Sequence, residues 1–132
     1  MNESKVILTN LCMVYRDDGS FLVQLRKKKD WPGINFPGGH VEKDESILDS
    51  VRREMKEETG LEVFDLKPCG YFEWNVPSEN VRHLSLLFKT NEFKGEISSS
   101  EEGEVFWIKE RDLNKYPQST DFDLLLKQMK EY

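Results

Sequence analysis

Glu54, Glu57 and Glu58 stand three and four positions apart in Arg53-Glu54-Met55-Lys56-Glu57-Glu58-Thr59-Gly60. At that spacing carboxylates share one side of a helix, and hard oxygen donors gathered there suit Mg2+ or Mn2+. On a wheel of about 100° per residue, Ile47, Leu48, Val51 and Met55 form one apolar stripe. With Val51 at zero, Glu58 falls at about −20°, Glu54 at about −60° and Glu57 at about −120°. Two carboxylates therefore lie within or beside the stripe that faces the core. An ordinary glutamate-rich helix keeps its acids on a solvated face, because burying an uncompensated carboxylate is costly. Glu57 and Glu58 also occupy the last turn, where the helix dipole disfavours negative charge. A divalent cation removes the repulsion, the burial cost and the dipole penalty together.

The elements that must position these groups follow from the pattern around them. Residues from about 44 to 59 read as a helix, with Asp44 as the expected N-cap and Gly60 as its left-handed stop. Ahead of it, Gly38-Gly39 allows close backbone approach, so that a carbonyl can reach the same ion. Upstream, Val6–Tyr15 and Phe21–Leu25 read as strands joined by a hairpin-type turn at Asp17-Asp18-Gly19. Downstream, Leu61–Leu66, Gly70–Val76, Leu84–Lys89 and Val105–Ile108 read as strands, with a turn at Pro77-Ser78-Glu79-Asn80. The segment Asp121–Lys130 reads as a second helix with a core stripe of Phe122, Leu125, Leu126 and Met129. Strands interrupted by one central and one terminal helix predict a mixed sheet with helices packed on it.

Residues 39–61 resemble the Nudix box, G-x5-E-x7-R-E-U-x-E-E-x-G-U with U aliphatic. Gly39, Glu45, Arg53, Glu54, Glu57, Glu58 and Gly60 match its fixed positions, and Met55 and Leu61 its U positions. The preceding Phe36-Pro37-Gly38 and the order of strands resemble the family as well. The resemblance implies an α/β/α sandwich on a mixed sheet, with a central loop–helix–loop and a C-terminal helix. It implies Mg2+-dependent hydrolysis, with Mn2+ an alternative, of a nucleoside diphosphate linked to another moiety. Carried onto this chain, Glu54, Glu57 and Glu58 take the metal-ligand and base positions, and Gly39 supplies a backbone carbonyl. Arg53 orients a box glutamate, and Glu45 and Gly60 are structural. Glu54 is the expected general base, a role that varies within the family. Of the acidic loop Glu101, Glu102 and Glu104, Glu102 is the expected additional ligand.

The substrate is less constrained. Arg26 is the best phosphate clamp in the basic cluster 26–29, although a solvated strand end explains it equally well; Lys28 and Lys29 read as solvated. Phe36 and Gly38 are expected at the substrate, and Phe36, Phe72, Trp74 and Trp31 are candidates to stack on a base. His40 and His83 receive no role. The nearest group is MutT-like, hydrolysing nucleoside triphosphates such as 8-oxo-dGTP to monophosphate and pyrophosphate. The asparagine with which that group reads a purine is missing from Tyr116–Asp121, where Gln118 or Asp121 offers polar atoms. The alternatives are hydrolysis of ADP-ribose or a dinucleoside polyphosphate, and a sensor that binds nucleotide without turnover.

Composition sets the outer bounds. One domain over 1–132 is expected, with 8 Phe, 3 Trp and 4 Tyr to build a core. A net charge of −6 argues against nucleic-acid polymers and anionic membranes as partners, leaving a small-molecule nucleotide. No apolar run approaches a membrane span, and the first residues lack a signal-peptide layout. Cys12 and Cys69 read as buried, reduced thiols. A cytoplasmic monomer or homodimer is the resulting expectation.

Overall fold

The computed structural model describes residues 3–27, 29, 31–76 and 80–132. Lys28 and the first three residues of the turn expected at Pro77–Asn80 lie outside the described residues. The strands are β1 (Lys5–Val14), β2 (Phe21–Arg26), β3 (Gly33–Asn35), β4 (Gly38–His40), β5 (Glu62–Phe64), β6 (Lys67–Val76), β7 (Val81–Thr90), β8 (Glu92–Lys94) and β9 (Gly103–Ile108). The helices are α1 (Ile47–Thr59) and α2 (Phe122–Glu131), with a short 3-10 helix at Glu110–Lys115.

The strands form a mixed sheet ordered β4-β1-β7-β6, a second sheet ordered β3-β2-β9 and a β5-β8 ribbon. Within the mixed sheet β1 runs parallel to β7, and the other pairings are antiparallel. Side-chain alternation shows how the layers stack. Leu11 and Met13 of β1, Phe21 and Val23 of β2, and Leu87 of β7 join the cluster that contains Phe122, Leu125, Leu126 and Met129 of α2. Their neighbours Cys12, Val14, Leu22 and Phe88 join the opposite cluster, with Val51 and Met55 of α1. Successive strand residues point to opposite faces, so both sheets belong to one layer between two helices, an α/β/α sandwich. Double coverage also explains why β1 is nearly continuously apolar over Cys12-Met13-Val14.

Four local expectations need correction. The turn after β1 forms, with the Arg16 amide donating to the Ser20 carbonyl at 2.9 Å. Yet β1 and β2 do not continue as a hairpin, and only the Tyr15–Phe21 bridge joins them. One edge of β1 is filled by β7 along its whole length and the other carries β4. Second, α1 begins at Ile47, not near Asp44. Ser46 is its N-cap, its hydroxyl accepting from the Asp49 amide at 3.1 Å, and Asp44 sits in a left-handed turn at φ 66°. Third, Leu48 is 41% exposed, so that only Ile47, Val51 and Met55 of the expected stripe pack against the core. Fourth, Phe36 is not available to a substrate. It is 2% exposed, stacked on Phe122 at 4.8 Å between ring centroids and tilted against Phe21 at 6.0 Å. Gly60 does close α1 in the left-handed conformation, at φ 82°.

Cys12 and Cys69 are free thiols and buried, and burial pushes both up from the ordinary thiol range, Cys12 strongly. Gly38 is a packing requirement: a Cβ there would lie 2.0 Å from the Asn10 carbonyl oxygen. The missing side chain seats β4 on β1.

Because Phe36 is a core residue joining the sheet to α2, Phe36→Ala should cost about 3–5 kcal/mol. Phe36→Leu should cost much less. Urea unfolding of the three proteins measures this; a mild Phe36→Ala effect would place the ring outside the core.

Candidate active site

The buried side of α1 consists of Ser50, Val51, Glu54, Met55 and Thr59. A glutamate in that row is 8% exposed and has to be accommodated by what it faces. It faces Gly39 of β4. A Cβ on Gly39 would lie 2.4–2.6 Å from the Glu54 carboxyl atoms, so only glycine lets the strand and the carboxylate occupy adjacent space.

Arg53 holds the surrounding acids. Its Nε and Nη2 grip Glu45 at 2.7 and 3.0 Å, and Nη2 also donates to the His40 carbonyl at 2.9 Å. Nη1 donates to Glu54 at 3.0 Å and to Glu57 at 3.2 Å. The bidentate contact ties Glu45 firmly to Arg53. It also explains the helix start: Glu45 must remain outside the helix to reach back to Arg53. Glu58 turns elsewhere, accepting from Gln24 Nε2 at 2.6 Å and from the Ser100 hydroxyl at 3.2 Å. The same hydroxyl accepts from the Glu102 amide at 3.2 Å, which ties the acidic loop to Glu58. Glu102 is half-buried, whereas Glu101 and Glu104 are exposed.

Electrostatics follow this geometry. Burial, with the nearby charges of Glu58 and Glu57, pushes the Glu54 carboxyl above the ordinary range against the pull of Arg53. The hydrogen bond from Arg53 holds Glu45 below that range, and Glu45 in turn raises Arg53. Among the described residues, no three carboxylate, imidazole or thiol groups are drawn together as a ready ion cage. The expected convergence on one spot is thus not realised. Glu54 and Glu57 share Arg53 Nη1, whereas Glu58 turns away to donors of its own, Gln24 and Ser100. The donor set still fits a hard divalent ion: several carboxylate oxygens surround a single guanidinium and leave net negative charge.

Arg26 lies beside Trp31, donating from Nε to the Trp31 carbonyl at 3.2 Å with its guanidinium 5.9 Å from the ring centre. Trp31 meets Trp74 edge-on at 5.2 Å, and Trp74 meets Phe72 at 4.7 Å. All three rings are half-buried. Trp31 donates from its indole to the Thr120 carbonyl at 3.0 Å. Gln118 points its amide at the Leu113 carbonyl, 3.4 Å away, on the 3-10 helix. Gln24, Ser100 and the Asn10–Ser50 pair at 2.9 Å escaped the sequence reading. Their available signal was a polar residue in an otherwise apolar strand, Asn10 in β1 and Gln24 in β2.

The NUDIX domain family model matches residues 7–128. The chain belongs to the Nudix family. Its MutT-like character is carried by relatives and by shape together. It is 33% identical over 81 residues to the 8-oxo-dGTP diphosphatase of Buchnera aphidicola, covering 61% of each chain. It is 30% identical over 110 residues to the uncharacterized Nudix hydrolase YvcI of Bacillus subtilis, covering 80% of this chain and 68% of that one. It also matches the isopentenyl-diphosphate Delta-isomerase of Salmonella paratyphi B at 38% over 74 residues, spanning 41% of that protein. In fold it is similar to the MutT NUDIX hydrolase of Burkholderia pseudomallei, with TM-score 0.83, 21% identity, and coverage of 95% and 98%. The protein is a MutT-like Nudix hydrolase, a pyrophosphohydrolase of a family that generally works with divalent metal ions.

In this Nudix hydrolase the pH dependence of stability should carry the mark of Glu54. A carboxyl raised by folding binds more protons in the native than in the unfolded chain. Stability therefore falls as pH rises from the ordinary value of 4.5 through the raised one, and the full cost stands above it. Glu54→Gln should remove that decline and be the more stable protein at neutral pH. Glu45 has the opposite sign, its contribution being lost only as pH falls below the ordinary value. Urea unfolding in EDTA across this range reads the slope. Parallel profiles for wild type and Glu54→Gln would assign the burial cost to another group.

Proposed function

We propose that this Nudix hydrolase cleaves a nucleoside triphosphate, such as 8-oxo-dGTP, to the monophosphate and pyrophosphate with Mg2+, or Mn2+ in its place. The observation that carries this reading is Glu54: a buried carboxylate with a raised proton affinity, seated on Gly39 and hydrogen-bonded by Arg53. A carboxylate so placed has a greater affinity for a proton than an exposed glutamate, which suits it to accept one. The 8-oxo-dGTP diphosphatase relatives support the substrate class.

Under this reading Glu54, Glu57, Glu58 and the Gly39 carbonyl hold the ion, with Glu102 as an added ligand from its loop. When bound, Mg2+ would supply charge neutralisation on the phosphate oxygens and lower the pKa of a water. Glu54 would take a proton from the attacking water, and Arg53 fixes the carboxylate's orientation while its grip on Glu45 and the His40 carbonyl ties β4 and the following turn to the helix. Arg26 pairs with a phosphate oxygen, where its planar donors suit the geometry. The base rests against Trp31, Trp74 and Phe72; Phe36 is excluded by its burial. Residues 1–132 act as one catalytic domain, placed in the cytoplasm as a monomer or homodimer. Among the described residues no helix is long and apolar enough to cross a membrane.

Comparing kcat/KM for 8-oxo-dGTP, dGTP, ADP-ribose, a dinucleoside polyphosphate and isopentenyl diphosphate tests the substrate. The triphosphates should lead, releasing pyrophosphate and no orthophosphate. A dominant rate on any of the other three would replace the triphosphate assignment. EDTA should abolish turnover and Mg2+ restore it, and Mg2+ should raise Tm because it binds only the folded cluster.

Glu54→Gln should lower kcat roughly 10²–10⁴-fold, the scale of a lost general base. Asp49→Asn is the control, since Asp49 is exposed on the same helix and touches only Ser46 and Arg52. Near wild-type kinetics in both variants would remove the catalytic assignment of Glu54.

A further inference from the structure

At the other end of the β2–β9 ladder from the glutamates lies a cleft of about 340 Å3. Gln24, the partner of Glu58, is three residues along β2 from Phe21, which pairs with Ile108 beside the cleft. At about 3.3 Å per residue that is a separation of roughly 10 Å along the strand. The cleft's walls run against the overall charge. The chain carries −6 overall, yet Arg16, Lys109, Arg111 and Lys115 line this one place against only Asp18 and Asp112.

The two carboxylates are already engaged. Asp112 pairs with Lys115 at 3.0 Å. Asp18 accepts from the Ser20 amide and hydroxyl at 2.9 and 2.6 Å, with Arg16 3.9 Å away. Among the described residues the Lys109 and Arg111 side chains hold no carboxylate within ion-pair distance, although the Lys109 charge acts on Asp18 from farther away. The aromatic wall is equally specific. Arg16 lies over Trp107 at 4.2 Å, which fixes its guanidinium against the ring. Tyr116 lies 5.0 Å from Phe106 and is 37% exposed, so one ring borders the opening.

We propose that this cleft is a second, non-catalytic site for a nucleoside monophosphate. Lys109 and Arg111 receive the phosphate, with Arg16 behind them. Tyr116, backed by Phe106, takes the base by stacking, an interaction every base can make. The volume suits a ligand of this size. Fixed aromatics beside an excess of cations over carboxylates select a phosphate attached to a ring over a bare anion. The site is independent of which nucleotide is hydrolysed, since none of its residues belongs to the glutamate cluster.

The test is titration of the full chain with AMP, followed by 1H–15N NMR and calorimetry in EDTA. Shifts should appear at the Trp107 indole, Lys109, Arg111 and Tyr116. Affinity at these resonances should fall 10-fold or more in Lys109→Glu/Arg111→Glu, and several-fold in Tyr116→Ala. Adenosine and inorganic phosphate should each bind more weakly than AMP, and added salt should weaken AMP. The double variant should keep wild-type kcat and KM at low product. AMP shifts confined to residues 39–61, or an affinity unchanged by the double charge reversal, would overturn the site. Equal affinity for inorganic phosphate and AMP would overturn its nucleotide class.

Discussion

A single guanidinium organises the glutamate cluster of this molecule. Arg53 faces more carboxylate than it can neutralise, and it uses all three nitrogens, reaching Glu45, Glu54, Glu57 and the His40 carbonyl. The last of these belongs to β4, so the contact fastens that glycine-containing strand to α1 as well as ordering the acids. The same bond set determines where α1 can begin, because Glu45 reaches Arg53 only from a non-helical position. A lysine could not substitute, having one charged nitrogen where the arrangement needs a planar fork. The remaining charge imbalance lies in the glutamates beyond its reach, and it makes this end of the helix receptive to a cation.

The scaffold makes that arrangement possible by a steric device on each of two adjacent residues. Gly38 has no side chain because the Asn10 carbonyl fills the position, and Gly39 because the Glu54 carboxyl does. The first lets β4 lie on β1; the second lets a helix present a carboxylate from its buried row. Behind both, strict alternation along β1, β2 and β7 sends one set of side chains to α1 and the other to α2. Glu54 is therefore held by a packed layer on one side and by Arg53 on the other. A burial cost that would expel an isolated carboxylate is confined to one residue.

What could be read in the sequence was whatever repeats over several residues or matches a fixed spacing. The acidic helix, the inward position of Glu54, the stop at Gly60 and the α2 stripe all belong to that class. Features decided by distant partners were not legible. The three-residue strands β3, β4 and β8 are too short to show a period. The parallel pairing of β1 with β7 joins segments about seventy residues apart, and no local pattern encodes it. Asp44 and Ser46 are both competent caps, and the choice between them is made by the reach of Glu45. Phe36 and Trp31 are both aromatics near the box; only the rings around them separate a core residue, stacked on Phe122, from one beside Arg26. Gln24 and Ser100 show the same limit, since each matters through a carboxylate far away in the chain.

This division bears on how reaction and specificity are separated in the molecule. The acids, their arginine and their glycine all lie within residues 39–61. The aromatic group beside Arg26 is assembled from Trp31, Phe72 and Trp74, and its placement depends on the loop before α2. The Trp31 indole bonds the Thr120 carbonyl, the Ser119 hydroxyl bonds the Pro32 carbonyl at 2.8 Å, and the Ile34 amide bonds the Pro117 carbonyl at 2.8 Å. Gly33, at φ 99°, is pressed against the backbone of Pro117–Ser119 with no room for a Cβ beyond 3.0 Å. A change in residues 117–120 would therefore move Trp31 without touching the glutamate cluster. Under the proposed reading the surface that meets the base can be reshaped from this loop while the hydrolytic end stays fixed, which is why a complete box constrains the bond broken far more tightly than the molecule that contains it.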